Sequence, residues 1–189
     1  MNTFHALYAQ ELARYGFHAD PAQESAVDAL DELRQRLIER ESLASPRRWF
    51  ARLRPRESVR GLYLWGGVGR GKTHLMDMFF ESLSFAERRR RHFHRFMYDV
   101  HAHLSGLEQT AAPLEEIAKS IAREAHVLCL DELFVSDIAD AMIVGGVLAA
   151  LFRRGVALVR GVSNVSHGMA VGVEVTKHDF PPRDSARPT

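Results

Sequence analysis

Residues 62–73 read LYLWGGVGRGKT, and this stretch decides the fold class of the chain. Residues 62–65 are four large apolar side chains in a row, which is typical of a buried strand. Residues 66–73 fit the pattern G-x-x-x-x-G-K-[ST], in which backbone N–H groups of a glycine-rich loop surround phosphate oxygens at a helix N-terminus. Residues 72–83 follow with apolar side chains on one helical face. The stretch therefore predicts a nucleotide-binding loop, with contacts from Gly66, Gly67, Val68, Gly69, Arg70, Gly71, Lys72, Thr73 and His74.

A second motif begins at residue 127. Residues 127–130 read VLCL, a buried strand, and Asp131 and Glu132 follow at its carboxyl end, where open α/β sheets bind their ligands. We expect Lys72 to reach the β- and γ-phosphates and to assist catalysis, and Thr73 and Asp131 to hold Mg²⁺. Glu132 is expected to activate the attacking water as general base. The Asp-Glu pair favours ATP hydrolysis over a GTP switch, and the sequence contains no guanine-reading N-K-x-D.

The last predicted strand covers residues 156–159, and a third candidate position lies shortly after it. Many ATPases with this arrangement of strands place a polar residue there, in contact with the γ-phosphate and the attacking water. Asn164 stands at this place and is therefore a candidate catalytic residue. An ordinary turn asparagine explains the same position equally well.

Apolar runs alternate with amphipathic stretches through the rest of the core. We expect helices at 98–109, 113–125 and 137–153, and a second strand at 92–97 after a basic turn at 87–91. Strands that alternate with helices predict an α/β fold of the P-loop NTPase type, a parallel sheet with helices on both faces.

Three segments divide the chain. Residues 1–60 are expected to form an N-terminal helical segment, with a helix at 22–40, and a basic linker. Residues 61–164 form the P-loop ATPase core. Residues 165–189 diverge from this pattern, carry three prolines and scattered charges, and are expected to be poorly ordered.

Composition excludes several other classes of protein. The 189 residues are 46% hydrophobic and 26% charged with a net charge of +1, so no overall field recruits nucleic acid or anionic lipid. The single cysteine, Cys129, cannot form an internal disulfide, which fits a reducing compartment. The sequence contains neither a signal peptide nor an apolar run of about 18 residues that could cross a bilayer. We expect a cytoplasmic protein with no specific nucleic-acid partner and no transmembrane segment.

Several stretches together resemble one known family. Residues 61–73, residues 75–77 (LMD), residues 92–97 (HFHRFM) and residues 130–142 (LDELFVSDIADAM) are similar to the ZapE family of cell-division ATPases, as is the start DPAQ at 20–23. The resemblance implies an AAA-type core that hydrolyses ATP with Mg²⁺ and engages a protein partner, the division-ring protein FtsZ. It also implies that the full-length family members form homo-oligomers. Gln23 is implied as a residue near the nucleotide base.

The resemblance ends at about residue 164. Family members continue through further strands, arginine fingers and a helical lid, so we expect this chain to be truncated or altered after that point and to bind nucleotide more readily than it turns it over. Two alternatives to an ATPase that acts on a protein partner stay open. One is a non-catalytic interaction module that binds ATP, and the other is a loader ATPase linked to nucleic acid.

Overall fold

The computed structural model of the chain describes residues 3–16, 21–43, 59–66, 71–107, 109–132, 135, 137–162 and 171–175. Within these ranges six helices and five strands follow one another along the chain. In order they are α1 (Phe4–Tyr15), α2 (Pro21–Leu43), β1 (Leu62–Gly66), α3 (Lys72–Ser82), β2 (Arg88–His92), α4 (Phe93–Ser105), α5 (Pro113–Glu124), β3 (Val127–Asp131), α6 (Ile138–Arg153), β4 (Ala157–Val162) and β5 (Val171–Val175).

The five strands form one sheet in the order β2-β3-β4-β1-β5. The first four are parallel, and β5 runs antiparallel to β1. Strand β4 lies between β1 and β3, so Leu64 pairs with Gly161 on one side and Cys129 pairs with Val159 on the other. All four parallel strands end at the same end of the sheet, called here the carboxyl end, and their first residues define the amino end.

Each face of the sheet carries its own hydrophobic cluster. Residues of β3 alternate between the two, with Val127 and Cys129 in the cluster of α1, α2 and α3, and Leu128 and Leu130 in the cluster of α4, α5 and α6. This alternation follows from the two-residue repeat of a strand. Because both faces are covered, the central strand is apolar throughout, as parallel sheets require. The predicted sheet with helices on both faces is confirmed.

Local signals set several helix ends. The Thr3 hydroxyl accepts a hydrogen bond from the backbone N–H of Ala6 at 3.2 Å, and Gly16 ends α1 with a left-handed φ of 67°. The Asp137 carboxylate accepts from the N–H of Ala139 at 2.6 Å and caps α6. No helix in the described ranges is both long enough and apolar enough to span a bilayer.

The strand expected at 92–97 and the basic turn expected at 87–91 are wrong. Arg88–His92 is strand β2, and residues 93–105 form helix α4. The residues Phe93, Phe96, Met97 and Val100 are all buried, at a spacing that puts them on one helical face. A run of charged residues favours a turn when only the sequence is considered. Strand β2, however, is an edge strand of the sheet, where long arginine side chains reach polar partners past the strand.

The two terminal segments contribute to the same sheet and cluster. Phe4 of α1 and Leu30 and Leu37 of α2 are fully buried in the cluster that also holds Leu64 of β1. Within the tail expected to be poorly ordered, residues 171–175 form strand β5 beside β1. Most of the basic linker lies outside the described residues. The boundaries 1–60, 61–164 and 165–189 therefore stay a prediction.

Candidate functional site

The two predicted motifs meet at the carboxyl end of the sheet. Strand β1 ends at Gly66 and β3 ends at Asp131, with only β4 between them. A glycine of β4 lies between the two motifs, and a Cβ atom at Gly161 would lie 3.3 Å from Cε of Met76 on α3 and 3.7 Å from Oδ1 of Asp131. An alanine there would require the end of the flexible Met76 side chain to move by a few tenths of an ångström, and its contact with Asp131 would be an ordinary van der Waals contact.

Lys72 is the first residue of α3 and is buried, with 6% of its surface exposed. It follows Gly71, whose φ of 75° lies in the left-handed region that glycine adopts without strain. Burial lowers the pKa of the Lys72 ammonium, because removal from water disfavours its charged form. A bound phosphate would place a negative charge beside this buried cation.

Helices α1 and α2 also reach the end of the glycine-rich loop. The Tyr8 hydroxyl donates a hydrogen bond to Oε1 of Gln23 at 2.8 Å, and Nε2 of Gln23 lies 3.2 Å from where a Cβ of Gly71 would stand. A second contact joins α1 to α3, since Nε2 of His74 lies 3.7 Å from Oε1 of Glu11. Gln23 therefore adjoins the loop, and its predicted contact with a base stays a prediction.

Asp131 is buried with 3% of its surface exposed, yet it carries a carboxylate. Arg90 of β2 donates a hydrogen bond to its Oδ2 and also forms an ion pair with Asp77 of α3. The guanidinium thus joins β3 to α3 across the site. Such pairing is what makes a buried carboxylate tolerable.

Glu132, the next residue, is exposed and has a φ of 54°. A residue other than glycine in the left-handed region costs about 1 kcal/mol or more and is found where the surroundings hold it there. The backbone therefore changes direction sharply between the buried Asp131 and the exposed Glu132. A water-accessible carboxylate directly beside a buried one suits the predicted division between a base and a metal ligand.

Thr73, in the first turn of α3, is exposed. Its hydroxyl and the Asp131 carboxylate are hard oxygen donors of the kind that Mg²⁺ prefers. The Asp131 carboxylate is paired with the Arg90 guanidinium, with which a metal ion would have to share it. In their donor atoms the residues present fit the predicted magnesium site.

Some predicted residues lie outside the described ranges, namely Gly67, Val68, Gly69, Arg70 and Asn164. Seven of the described ones lie at the carboxyl ends of β1 and β3 and in the first turn of α3, namely Gly66, Gly71, Lys72, Thr73, His74, Asp131 and Glu132, and Gln23 lies in α2. Their roles in binding and catalysis stay predictions.

Sequence reasoning missed Arg90 and Asp77 as members of this site. The alternation of side chains along residues 88–92 could have found Arg90, since every second residue of a strand faces the same side. This alternation has meaning only when residues 88–92 are assigned to a strand, and the sequence predicts a turn at 87–91. Asp77 stands one helical turn beyond Thr73, a spacing that puts it on the same face of α3.

The parallel sheet, the glycine-rich loop between β1 and α3 and the acidic pair after β3 define a P-loop NTPase fold of the AAA type. The structure of AMPPCP-bound DnaA from Aquifex aeolicus is similar to this chain with a TM-score of 0.53 and 14% sequence identity, over 78% of this chain and 40% of DnaA. At that identity the likeness concerns the fold alone.

The model of the AFG1-like ATPase family matches residues 2–169, and the chain belongs to this family. Cell division protein ZapE of Escherichia coli K12 is 45% identical over 169 residues, which are 84% of this chain and 44% of ZapE. Lactation elevated protein 1 homolog B of Danio rerio is 39% identical over 110 residues, 52% of this chain and 22% of that protein. The resemblance to the ZapE family is thereby confirmed, and this chain spans less than half the length of these relatives.

Proposed function

We propose that this chain binds ATP with Mg²⁺ at the carboxyl end of its sheet and hydrolyses it in order to act on a protein partner in cell division. One observation carries the proposal. The buried ammonium of Lys72 begins α3 directly after β1 and its glycine-rich loop, and the buried carboxylate of Asp131 ends β3 at the same end of the sheet. One positive and one negative group, both removed from water, are what a metal-bound polyphosphate requires.

Binding relies on the loop and on Lys72. Such a loop, together with the α3 N-terminus, would offer backbone N–H groups to the phosphates, and the Lys72 ammonium would offset the charge of the β- and γ-phosphates. Gln23, held by the Tyr8 hydroxyl at 2.8 Å, lies at the border of the loop and would contact the nucleotide base. Thr73 and Asp131 would hold Mg²⁺, which when bound withdraws negative charge from the phosphate oxygens.

Hydrolysis relies on Glu132. Its exposed carboxylate accepts the proton of a water molecule whose oxygen attacks the γ-phosphorus atom. The bond between that phosphorus and the bridging oxygen breaks, and its electron pair leaves with ADP. Asn164 would hold the attacking water against the γ-phosphate. The positive φ of Glu132 supports this role, since strained backbone of this kind occurs at functional sites.

The test is phosphate release by the parent chain and by Glu132→Gln, with nucleotide affinity measured for both. The amide keeps the shape of the side chain but cannot accept the proton, so we expect affinity to stay within about threefold while phosphate release falls at least a hundredfold. Glu116→Gln, an exposed position on α5, is the control and should change neither quantity. Equal turnover in Glu132→Gln and the parent would remove Glu132 from the mechanism.

The partner we propose is FtsZ. The proposal is supported by the 45% identity to E. coli ZapE, which is named as a cell division protein. Phosphate release by the parent chain should rise when FtsZ is added and should not respond to DNA. Retained ATP binding with no release under either condition would indicate a binding module, and a response to DNA alone would indicate a loader ATPase.

We also propose that the protein works in the cytoplasm and that the full-length members of its family, rather than this chain alone, assemble as homo-oligomers. The proposed compartment is supported by the single cysteine, Cys129, which is buried. Burial raises the pKa of its thiol to about 12, so the thiol stays protonated and unreactive. Light scattering with and without ATP tests the oligomer, and fractionation of cells tests the compartment.

A further inference from the structure

Three consecutive arginines of β2 have three different partners. Arg88 donates to the carbonyl oxygen of Phe80 at 2.7 Å, at the end of α3. Arg89 lies on the opposite face, with its Nη2 3.7 Å from Oε2 of Glu124. Arg90 pairs with Cys129 in the sheet register and therefore faces α3, where Asp77 and Asp131 both reach its guanidinium.

The two carboxylates that share Arg90 differ in their surroundings. The side chain of Asp131 is 4% exposed, that of Asp77 is 41% exposed, and that of Arg90 itself is 23% exposed. Asp77 therefore keeps part of its hydration, whereas Asp131 depends on charges of the protein or of a ligand. Arg90 is a cation in direct contact with Asp131.

A metal ion on Asp131 would meet this guanidinium. Two cations on one carboxylate repel each other, and the repulsion is strong where water is excluded. Arg90 has a second carboxylate in reach, so it can leave Asp131 without losing an ionic partner. Asp77 lies on α3, the helix whose first turn carries Lys72 and Thr73.

We propose that Arg90 is a positioning residue that occupies Asp131 in place of the metal charge and passes to Asp77 when Mg²⁺ and nucleotide bind. The inference rests on the proposed nucleotide site and adds to it a pair of residues, Arg90 and Asp77, that couple metal binding to α3. The transfer involves no bond formation and no proton movement, only the exchange of one ionic partner for another.

The quantity that reports this exchange is the metal enhancement, the ratio of nucleotide affinity in excess Mg²⁺ to affinity in EDTA. N-methylanthraniloyl-ADP is the probe, because its fluorescence measures binding without turnover. In Asp77→Asn the guanidinium loses its alternative partner and stays on Asp131, so the metal enhancement should fall at least threefold. In Arg90→Gln the competing cation is gone and metal-free binding is weaker, so the metal enhancement should rise at least threefold.

Two further variants keep the result interpretable. Arg89→Gln removes an arginine from the same strand but from its other face, and it should leave the metal enhancement unchanged. Arg90→Lys keeps the charge and should stay close to the parent, which provides a second measurement if Arg90→Gln does not fold.

A fall of the metal enhancement in Arg90→Gln, or equal values in all four variants and the parent, would overturn the proposal. A parent chain that binds the probe neither with Mg²⁺ nor in EDTA would instead overturn the proposed function, and the two failures are therefore distinguishable.

Discussion

The two ends of the sheet use charged side chains in opposite ways. At the amino end, Arg40 of α2 donates to the carbonyl oxygens of Gly155 at 2.7 Å and His126 at 3.2 Å, and Glu41 accepts from Arg40 at 3.1 Å and lies 2.9 Å from Nδ1 of His126. These groups are hydrogen-bonded to one another, and the bonds connect α2 to the residues that precede β3 and β4. At the carboxyl end, Lys72 and Asp131 are also buried, and they are residues that we propose to contact the phosphates and Mg²⁺.

We expect the charged groups at the amino end of the sheet to contribute to stability and those at the carboxyl end to contribute to binding. Charges at the amino end have their partners in the folded chain itself, so their removal should lower the free energy of unfolding. At the carboxyl end, Lys72 and Asp131 are the groups that we propose to contact a polyphosphate and a metal ion, so their removal should lower affinity more than it lowers the stability of the fold. Three substitutions test this division.

The largest effect is expected for Lys72→Ala. The ammonium offsets the phosphate charge, and its loss should weaken ATP binding about a thousandfold, or about 4 kcal/mol. The melting temperature without ligand should change little, because Lys72 lies at the start of α3 and belongs to neither hydrophobic cluster. Calorimetric titration measures the affinity, with Lys119→Ala on α5 as control. Affinity within threefold of the parent would contradict the assignment of the loop.

A smaller effect, of the opposite kind, is expected for Arg40→Ala. Two backbone carbonyls and Glu41 lose a charged donor, which should lower the free energy of unfolding by about 2–3 kcal/mol. Urea denaturation measures this, and Arg36→Ala, an exposed arginine of the same helix, should change it by less than about 1 kcal/mol. Nucleotide affinity at temperatures where the variant is folded should equal that of the parent. A loss of affinity would show that the two ends are not separate.

The smallest effect is expected for Glu41→Gln, about 1 kcal/mol at neutral pH. Burial acts to raise the pKa of the Glu41 carboxyl, but the hydrogen bond to His126 and the charge of Arg40 outweigh it, so the pKa is lowered. A lowered folded-state pKa means that the stabilisation is present above the unfolded value of 4.5 and is lost as pH falls through the folded value.

The difference in stability between parent and variant should therefore persist at pH 7 and shrink below pH 4.5. Urea denaturation over that range measures it, with the exposed Glu39→Gln as control. A difference that grows on acidification would mean that Glu41 is not the group stabilised by these contacts.

Much of the site was predictable because its signals are local. Residues 62–73 contain a strand, a loop and a helix start that need no distant partner to be recognised, and the apolar run before Asp131 marks a central strand equally well. The bounds of β1, α3 and β3 follow the prediction closely. The arrangement of these strands in one parallel sheet then follows from the alternation of strands and helices.

The remainder depends on contacts between residues far apart in sequence. The polar run at 88–91 has no strand pattern of its own, and it becomes a strand because β3 offers a free edge to pair with. The ion pair of Arg90 with Asp131 joins residues 41 positions apart, and the Tyr8 hydrogen bond to Gln23 joins two helices. Neither contact leaves a trace in local composition.

The left-handed backbone at Glu132 has a consequence for how this protein can change over evolutionary or laboratory selection. Glycine is the residue that this conformation favours, so Glu132→Gly relieves local strain, while it also deletes the carboxylate at the mouth of the site. Selection for heat resistance alone would thus favour a variant with an unstrained backbone at position 132 and without the carboxylate that we propose as the general base. The glutamate persists at position 132 only for as long as something other than stability is being selected.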